Sequence, residues 1–187
     1  MRIIGGNLRG KKILKPIDKL TRPLKDMVRE SIFNIINHSQ DEFVELNNAK
    51  ILDLFSGTGS FGIECLSRGA KSVTFFENYS NSIKILKKNL DLLDLNKNST
   101  IIEKDVFSIN PAQHNLSKFN LIFLDPPFKD NKLNQLIGII KKMKITYKNT
   151  LIIIHRNTKI SENISKDLII SKEKNYGLSK IIFGKIC

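Results

Sequence analysis

The chain has 187 residues, 41% of them hydrophobic and 26% charged, which suits a single folded domain and excludes an intrinsically disordered chain. No apolar run approaches the roughly 18–20 residues of a membrane span, and Met1-Arg2-Ile3-Ile4-Gly5-Gly6 opens the chain without the apolar core of a signal peptide. Lys and Arg number 31 against 18 Asp and Glu, a formal charge of +13, which points to a polyanionic partner such as nucleic acid.

Abundant Ile, Lys and Asn with three alanines would also suit a biased coding sequence, and arginine separates the two readings. There are six arginines, and Arg2, Arg9, Arg22 and Arg29 all fall in the first 29 residues. A lysine-rich chain that keeps arginine in one place is using its planar, bidentate fork there. Residues 2–15 read as a basic β-hairpin or loop, with Ile3-Ile4 and Ile13-Leu14 around Gly5, Gly6 and Gly10. A helix follows: Thr21 can cap it, Pro23 suits its first turn, and Leu24, Met27, Val28, Ile32, Ile35 and Ile36 recur at helical spacing. Arg22, Lys25 and Arg29 lie three and four apart on another face. Residues 1–45 are therefore expected to be a basic, RNA-facing extension, with Arg2, Arg9, Lys11, Lys12, Arg22, Lys25 and Arg29 as the contacts. Arg22 or Arg29 could alternatively reach a cofactor.

From Lys50 short β-branched runs alternate with helical stretches: strands at Ile51–Phe55, Ser72–Glu77, Thr100–Glu103, Leu121–Leu124 and Leu151–His155, helices near 60–68, 80–93 and 132–143. Residues 106–119 are too irregular to assign. Alternation of this kind gives a parallel sheet covered on both faces. Leu168–Ile170 and Ile181–Phe183 flank Asn175-Tyr176-Gly177 and predict a closing antiparallel hairpin. Residues 46–187 thus read as an α/β domain. Its two thiols, Cys65 inside a helix and Cys187 at the end, form neither a disulfide framework nor a metal-ligand pattern; no metal is expected, and a reducing cytoplasm is.

Two motifs carry chemistry. Asp53-Leu54-Phe55-Ser56-Gly57-Thr58-Gly59-Ser60-Phe61-Gly62 sets G-x-G-x-x-G between a strand and a helix. Its glycines allow close backbone approach, and the helix N-terminus offers bare N–H groups. Glu77, 20 residues after Gly57, ends the next strand and can accept both hydroxyls of an adenosine ribose. This pattern leaves NAD and S-adenosylmethionine open. The second motif, Asp125-Pro126-Pro127-Phe128, follows a strand at the carboxyl edge of the sheet, where open α/β folds bind ligands. The Asp125 carboxylate and the Pro126 carbonyl can both accept from an exocyclic base amine. They would hold it in line with a sulfonium methyl, while Phe128 stacks on the extruded base.

These residues resemble the bacterial RsmD family, S-adenosylmethionine-dependent methyltransferases of guanine N2 in 16S ribosomal RNA. The resemblance rests on Arg2-Ile3-Ile4-Gly5-Gly6 through Arg9-Gly10-Lys11, on Arg22-Pro23 with Val28-Arg29-Glu30 and Phe33-Asn34, and on the two motifs. It implies a class I, Rossmann-like methyltransferase sheet, mostly parallel with a C-terminal antiparallel hairpin. It implies S-adenosylmethionine held by Asp53, Phe55, Ser56, Gly57, Thr58, Gly59, Glu77, Asn78, Asp105 and Val106, with Asp125, Pro126, Pro127 and Phe128 at the target amine. The partner implied is 16S rRNA within the small ribosomal subunit, met by a monomer. Three positions depart from the family: Leu24 follows Arg-Pro where Thr is usual, Asn78-Tyr79 follows Glu77 where Glu-x-Asp is common, and His155 stands where a strand end often carries an acid.

The rival readings are an NAD oxidoreductase, for which His38, His114 and His155 are too scattered to move protons; a decayed, non-catalytic RNA binder, against which both motifs are intact; and cytosine-C5 chemistry, which needs a cysteine nucleophile that Cys65 is badly placed to supply. A neighbouring amino-methyltransferase, such as one for adenine N6 in DNA or RNA, is the strongest alternative, because Asp125 and Phe128 would serve it equally.

Overall fold

The computed structural model describes residues 1–16, 24–39, 44–109, 116–127, 132–160 and 162–187. Thr21, Arg22, Pro23, His114 and Phe128 lie outside the described residues.

The first segment folds back on itself. Arg2 and Lys12 form an antiparallel bridge, and Ile3 N–H donates to Lys11 O at 3.0 Å. Ile3 and Ile13 point inward from it and are buried. Helix α1 (Asp26–His38) then buries Val28, Ile32, Phe33 and Ile36, which recur at three and four. Met27, expected on that apolar face, is instead 63% exposed.

The sheet contains β1 (Lys50–Leu54), β2 (Ser72–Phe76), β3 (Ser99–Ile102), β4 (Phe119–Leu124), β5 (Thr146–Asn157), β6 (Leu168–Tyr176) and β7 (Ser179–Ile186). Helices α2 (Ser60–Ser67), α3 (Ser80–Leu92) and α4 (Leu133–Met143) follow β1, β2 and β4. The spatial order is β3-β2-β1-β4-β5-β7-β6, with β7 antiparallel to both neighbours and all other pairs parallel. The expected doubly covered α/β sheet and closing hairpin are both present. The crossover helices leave a strand sequence buried on both faces, so Ile51, Leu52, Leu54, Ile122 and Ile152–Ile154 are inaccessible.

Two cores result. One joins odd-numbered strand residues such as Phe123, Ile153 and Phe183 to α1, α2 and the N-terminal segment; the other joins Leu54, Leu124 and Ile154 to α4. Stacked rings link Phe33 of α1 to Phe61 of α2 at 5.2 Å, and Phe61 to Phe123 of β4 at 3.9 Å. A division at residue 45 therefore follows charge, since the core runs across it. The chain leaves β1 toward β2 and β3, then returns to place β4 on the other side of β1. That reversal opens a crevice at the carboxyl ends of β1 and β4, where both motifs emerge.

Candidate active site

The glycine turn begins one residue early. Phe55, expected to end the strand, has φ of +62° and leaves it, a left-handed conformation that costs a non-glycine residue about 1–2 kcal/mol. Ser56 N–H donates to Phe76 O at 3.0 Å and Gly59 N–H to Ser56 O at 2.8 Å, which ties the turn to β2 and to itself. Gly59 has φ of +83°, and a Cβ on it would lie 2.3 Å from Leu86. Gly62 is required by packing: a Cβ there would lie 2.3 Å from the Phe75 ring, so α2 could not sit against β2.

Glu77 serves the same turn. Its Oε2 accepts from Gly57 N–H at 2.7 Å, and its Oε1 from Asn78 and Tyr79 N–H, each at 2.9 Å. A carboxylate has about four acceptor directions, so three are occupied. Glu77 therefore closes the turn through backbone N–H groups while its carboxylate stays at the edge where a ribose was expected.

Asp53 also differs from expectation. It is 1% exposed, and its Oδ2 accepts from Gly62 N–H at 3.0 Å. Burial raises its pKa well above the usual carboxylate range; the Gly62 bond opposes this, while Asp125 and Glu77 add to the rise. Asp53 therefore pins α2 to β1 from behind the turn and presents no carboxylate to a ligand at its surface. Asp105 is exposed and accepts from Phe107 N–H at 2.9 Å, with Val106 buried beside it. The Phe55 and Phe107 rings stand 6.2 Å apart, tilted by 53°. Acceptors on Glu77 and Asp105 beside a partly open pair of rings suit the ribose and purine of an adenosine cofactor.

At the end of β4, Asp125 N–H donates to Leu54 O at 3.3 Å, which sets the second motif beside the first. The Asp125 side chain is 21% exposed, Pro126 is buried and Pro127 is exposed. Of the residues that surround them, the sequence marks His155 alone, as a departure from the acid usual at that strand end. Asp125 Oδ1 lies 2.8 Å from His155 Nδ1, and His155 Nε2 lies 2.9 Å from Ser179 Oγ. Arg156, 2% exposed, donates Nε–H and Nη2–H to the two oxygens of Glu162, at 2.6 and 3.1 Å, and Nη1–H to Pro127 O at 3.4 Å. The other available signal was position: His155 and Arg156 directly follow the apolar run of β5, at the same edge as Asp125.

The basic residues divide. Arg2, Arg9, Lys11, Lys12 and Lys25 are exposed. Arg29 is fully buried and donates Nη2–H to Arg2 O and to Asp26 Oδ1, at 2.5 and 3.1 Å, with Nε 3.6 Å from Glu64. The RNA contact expected of Arg29 is corrected on this ground: no phosphate can reach it. Its ion-pair partner Glu64, also buried, accepts from Ile4 N–H, Gly5 N–H and Arg68 Nε–H. Cys65 is buried too; burial, with Asp53 and Glu64 next, raises its pKa well above the ordinary thiol value, so it is an inert core residue.

The family model described as Conserved hypothetical protein 95 matches residues 1–185. The chain belongs to the RsmD family. It has the class I methyltransferase fold. The Bacillus subtilis protein YlbH is 32% identical over 188 residues, covering 99% of this chain and 98% of that protein. Ribosomal RNA small subunit methyltransferase D of Haemophilus influenzae is 31% identical over 179 residues, covering 95% and 90%. The solved Escherichia coli chain yhhF superposes with a TM-score of 0.83 at 27% identity, covering 100% of this chain and 97% of that one. Among the described residues no helix is long and apolar enough to cross a membrane, and no cluster of His, Cys, Asp and Glu could hold a metal.

Proposed function

We propose that this RsmD-family chain methylates ribosomal RNA of the small subunit, and that the acceptor is the exocyclic N2 amine of a guanine in 16S rRNA. The observation that carries the chemistry is a partly exposed carboxylate, Asp125, on a proline-stiffened edge beside the glycine turn. The rRNA substrate is supported by the relative from H. influenzae, which bears that activity in its name; guanine N2 rests on the family resemblance.

Bound S-adenosylmethionine supplies an electrophilic methyl group on a sulfonium. The chain's own residues must then make a poor nucleophile attack it. A base amine is weakly nucleophilic because its electron pair is delocalised into the ring. Asp125 and the Pro126 carbonyl accept its two N–H groups and orient the nitrogen pair toward the methyl carbon. As the N–C bond forms and the C–S pair stays on sulfur, positive charge grows on nitrogen. The Asp125 carboxylate stabilises that charge and takes one N–H proton. Arg156, clamped by Glu162, holds the Pro127 carbonyl and with it the shape of the edge. Phe128 stacks on the extruded guanine. Phe55 to Gly59, Glu77, Asn78, Asp105 and Val106 hold the cofactor, and Arg2, Arg9, Lys11, Lys12 and Lys25 meet RNA phosphates.

The test is to incubate the protein and labelled S-adenosylmethionine with small ribosomal subunits from a strain lacking the enzyme, then identify the modified nucleoside by mass spectrometry. N2-methylguanosine in 16S rRNA is the expected product. N6-methyladenosine would move the assignment to the neighbouring class of amino-methyltransferases.

A further inference from the structure

We propose that His155 is the positioning residue of Asp125: seated on Ser179, its imidazole grips one carboxylate oxygen and leaves the other to receive the target amine. The proposal rests on the placement of Asp125 at that amine given above.

Strand register brings the three groups together. β4 and β5 run parallel with Leu124 beside Ile154, so the next residues, Asp125 and His155, stand side by side and project from the same face. On the other flank β7 runs antiparallel, pairing His155 with Ile181 and Asn157 with Ser179. Ser179 is thus the diagonal neighbour of His155 on that face, within reach of a long side chain. The contacts are 2.8 Å from Nδ1 to Asp125 Oδ1 and 2.9 Å from Nε2 to Ser179 Oγ. His155 is 6% exposed, so the ring cannot turn away without breaking both.

The chemistry of the donors sets the tautomer. An ionised carboxylate only accepts, so Nδ1 carries the hydrogen. In the neutral ring Nε2 then accepts, and a serine hydroxyl is able to donate to it. If the ring gains a proton, the same hydroxyl can rotate and accept. Both hydrogen bonds survive either state; what changes is charge. An imidazolium beside Asp125 would oppose the positive charge developing on the amine nitrogen, so the neutral ring is the working form.

Other charged and titratable groups bear on this balance. Asp53 on β1 couples to Asp125. The Tyr176 phenol on β6 pairs in register with Ser179 and is hydrogen-bonded to Ser31 of α1. Alternation places Arg156 with Glu162, and Lys180 with Glu173, on the opposite face.

The experiment is single-turnover methylation of unmodified small subunits by the full chain. The variants are H155A, H155N, H155Q, S179A and D125A, each with its cofactor and RNA affinities. H155A should lose about 10- to 100-fold in rate, the cost of a misplaced reacting group, with both affinities unchanged. H155N sets an amide N–H where Nδ1 stood, in reach of Asp125, and should recover part of the rate; H155Q sets its amide where Nε2 stood, beside Ser179, and should recover less. S179A should fall between wild type and H155A. Equal rates in H155N and H155Q, or a wild-type rate in H155A, with D125A inactive, would overturn the role of His155 and leave Asp125 in place. Wild-type rate in D125A would overturn both assignments. If H155A does not fold, the order of H155N and H155Q decides alone.

Discussion

At the scale of single residues, the site is built from carboxylates in very different settings. Glu77 spends three acceptor directions on Gly57, Asn78 and Tyr79, so it shapes the turn as well as meeting a ribose. Glu77→Ala should weaken S-adenosylmethionine binding by about 1.5–3 kcal/mol, the range for a charge-assisted hydrogen-bonded group, with the rate largely restored at saturating cofactor. Calorimetric affinity equal to wild type would put the ribose elsewhere. Asp53 has the opposite environment. Its pKa is raised in the folded protein, chiefly by burial, so between its unfolded and folded pKa values the native state binds more protons than the unfolded chain. Stability therefore falls as pH rises through that window. Asp53→Asn keeps an acceptor for Gly62 N–H and carries no titratable proton. The variant should gain in melting temperature relative to wild type as pH is raised above about 4, the ordinary aspartate value, and a difference that stays flat with pH would show that Asp53 ionises freely where it sits. The sequence separated Asp125 from Asp53 by motif, but the burial of Asp53 was not legible in it, because that depends on the packing of α2 over the end of β1.

At the scale of elements, the alternation of apolar runs and helical spacing was legible because both sheet faces are covered, and β1, β2, β3 and α2 to α4 lie within two residues of their expected bounds. The hairpin strands were under-read for the converse reason. β6 carries Ser171-Lys172-Glu173-Lys174-Asn175 and is exposed along most of its length, so it lacks the apolar signal that marks a buried strand. Long-range pairing was the other gap. Arg29 looked like one of three basic residues on a solvent face; its burial depends on Glu64, which lies 35 residues away and belongs to α2. Glu64 in turn fastens the N-terminal segment through Ile4 and Gly5 N–H and gathers Arg29 and Arg68. Breaking a buried ion cluster by removing one partner costs about 3–5 kcal/mol. Glu64→Ala should lose stability of that order in denaturant unfolding, because Arg29, with Nε and Nη1 lacking hydrogen-bond partners among the described residues, already depends on this one buried charge. A loss below about 1 kcal/mol would show that water or backbone replaces it.

At the scale of the whole molecule, the charge of +13 is a general attraction for polyanions, and the exposed Arg2, Arg9, Lys11, Lys12 and Lys25 are its N-terminal share. If Arg9 and Lys11 meet phosphates, replacing both by Ala should flatten the log–log dependence of RNA binding on salt by about one to two, with cofactor affinity unchanged. A variant with wild-type slope would return these residues to a merely solvated surface. The route by which that segment is attached has a practical consequence. Ile3 and Ile13 belong to the same core as Phe123 and Ile153; Leu14 N–H donates to Asn89 Oδ1, and Asn89 Nδ2–H also donates to the Thr58 carbonyl of the glycine turn. Trimming the chain to residues 46–187 would not yield a minimal catalyst with its RNA grip removed. It would uncover one face of the sheet, deprive Glu64 of Ile4, Gly5 and Arg29 and Asn89 of Leu14, and unsettle the turn that receives the cofactor. Substrate grip and catalysis can be dissected here by point substitution on the rim of the molecule, and a scissors experiment would report only on solubility.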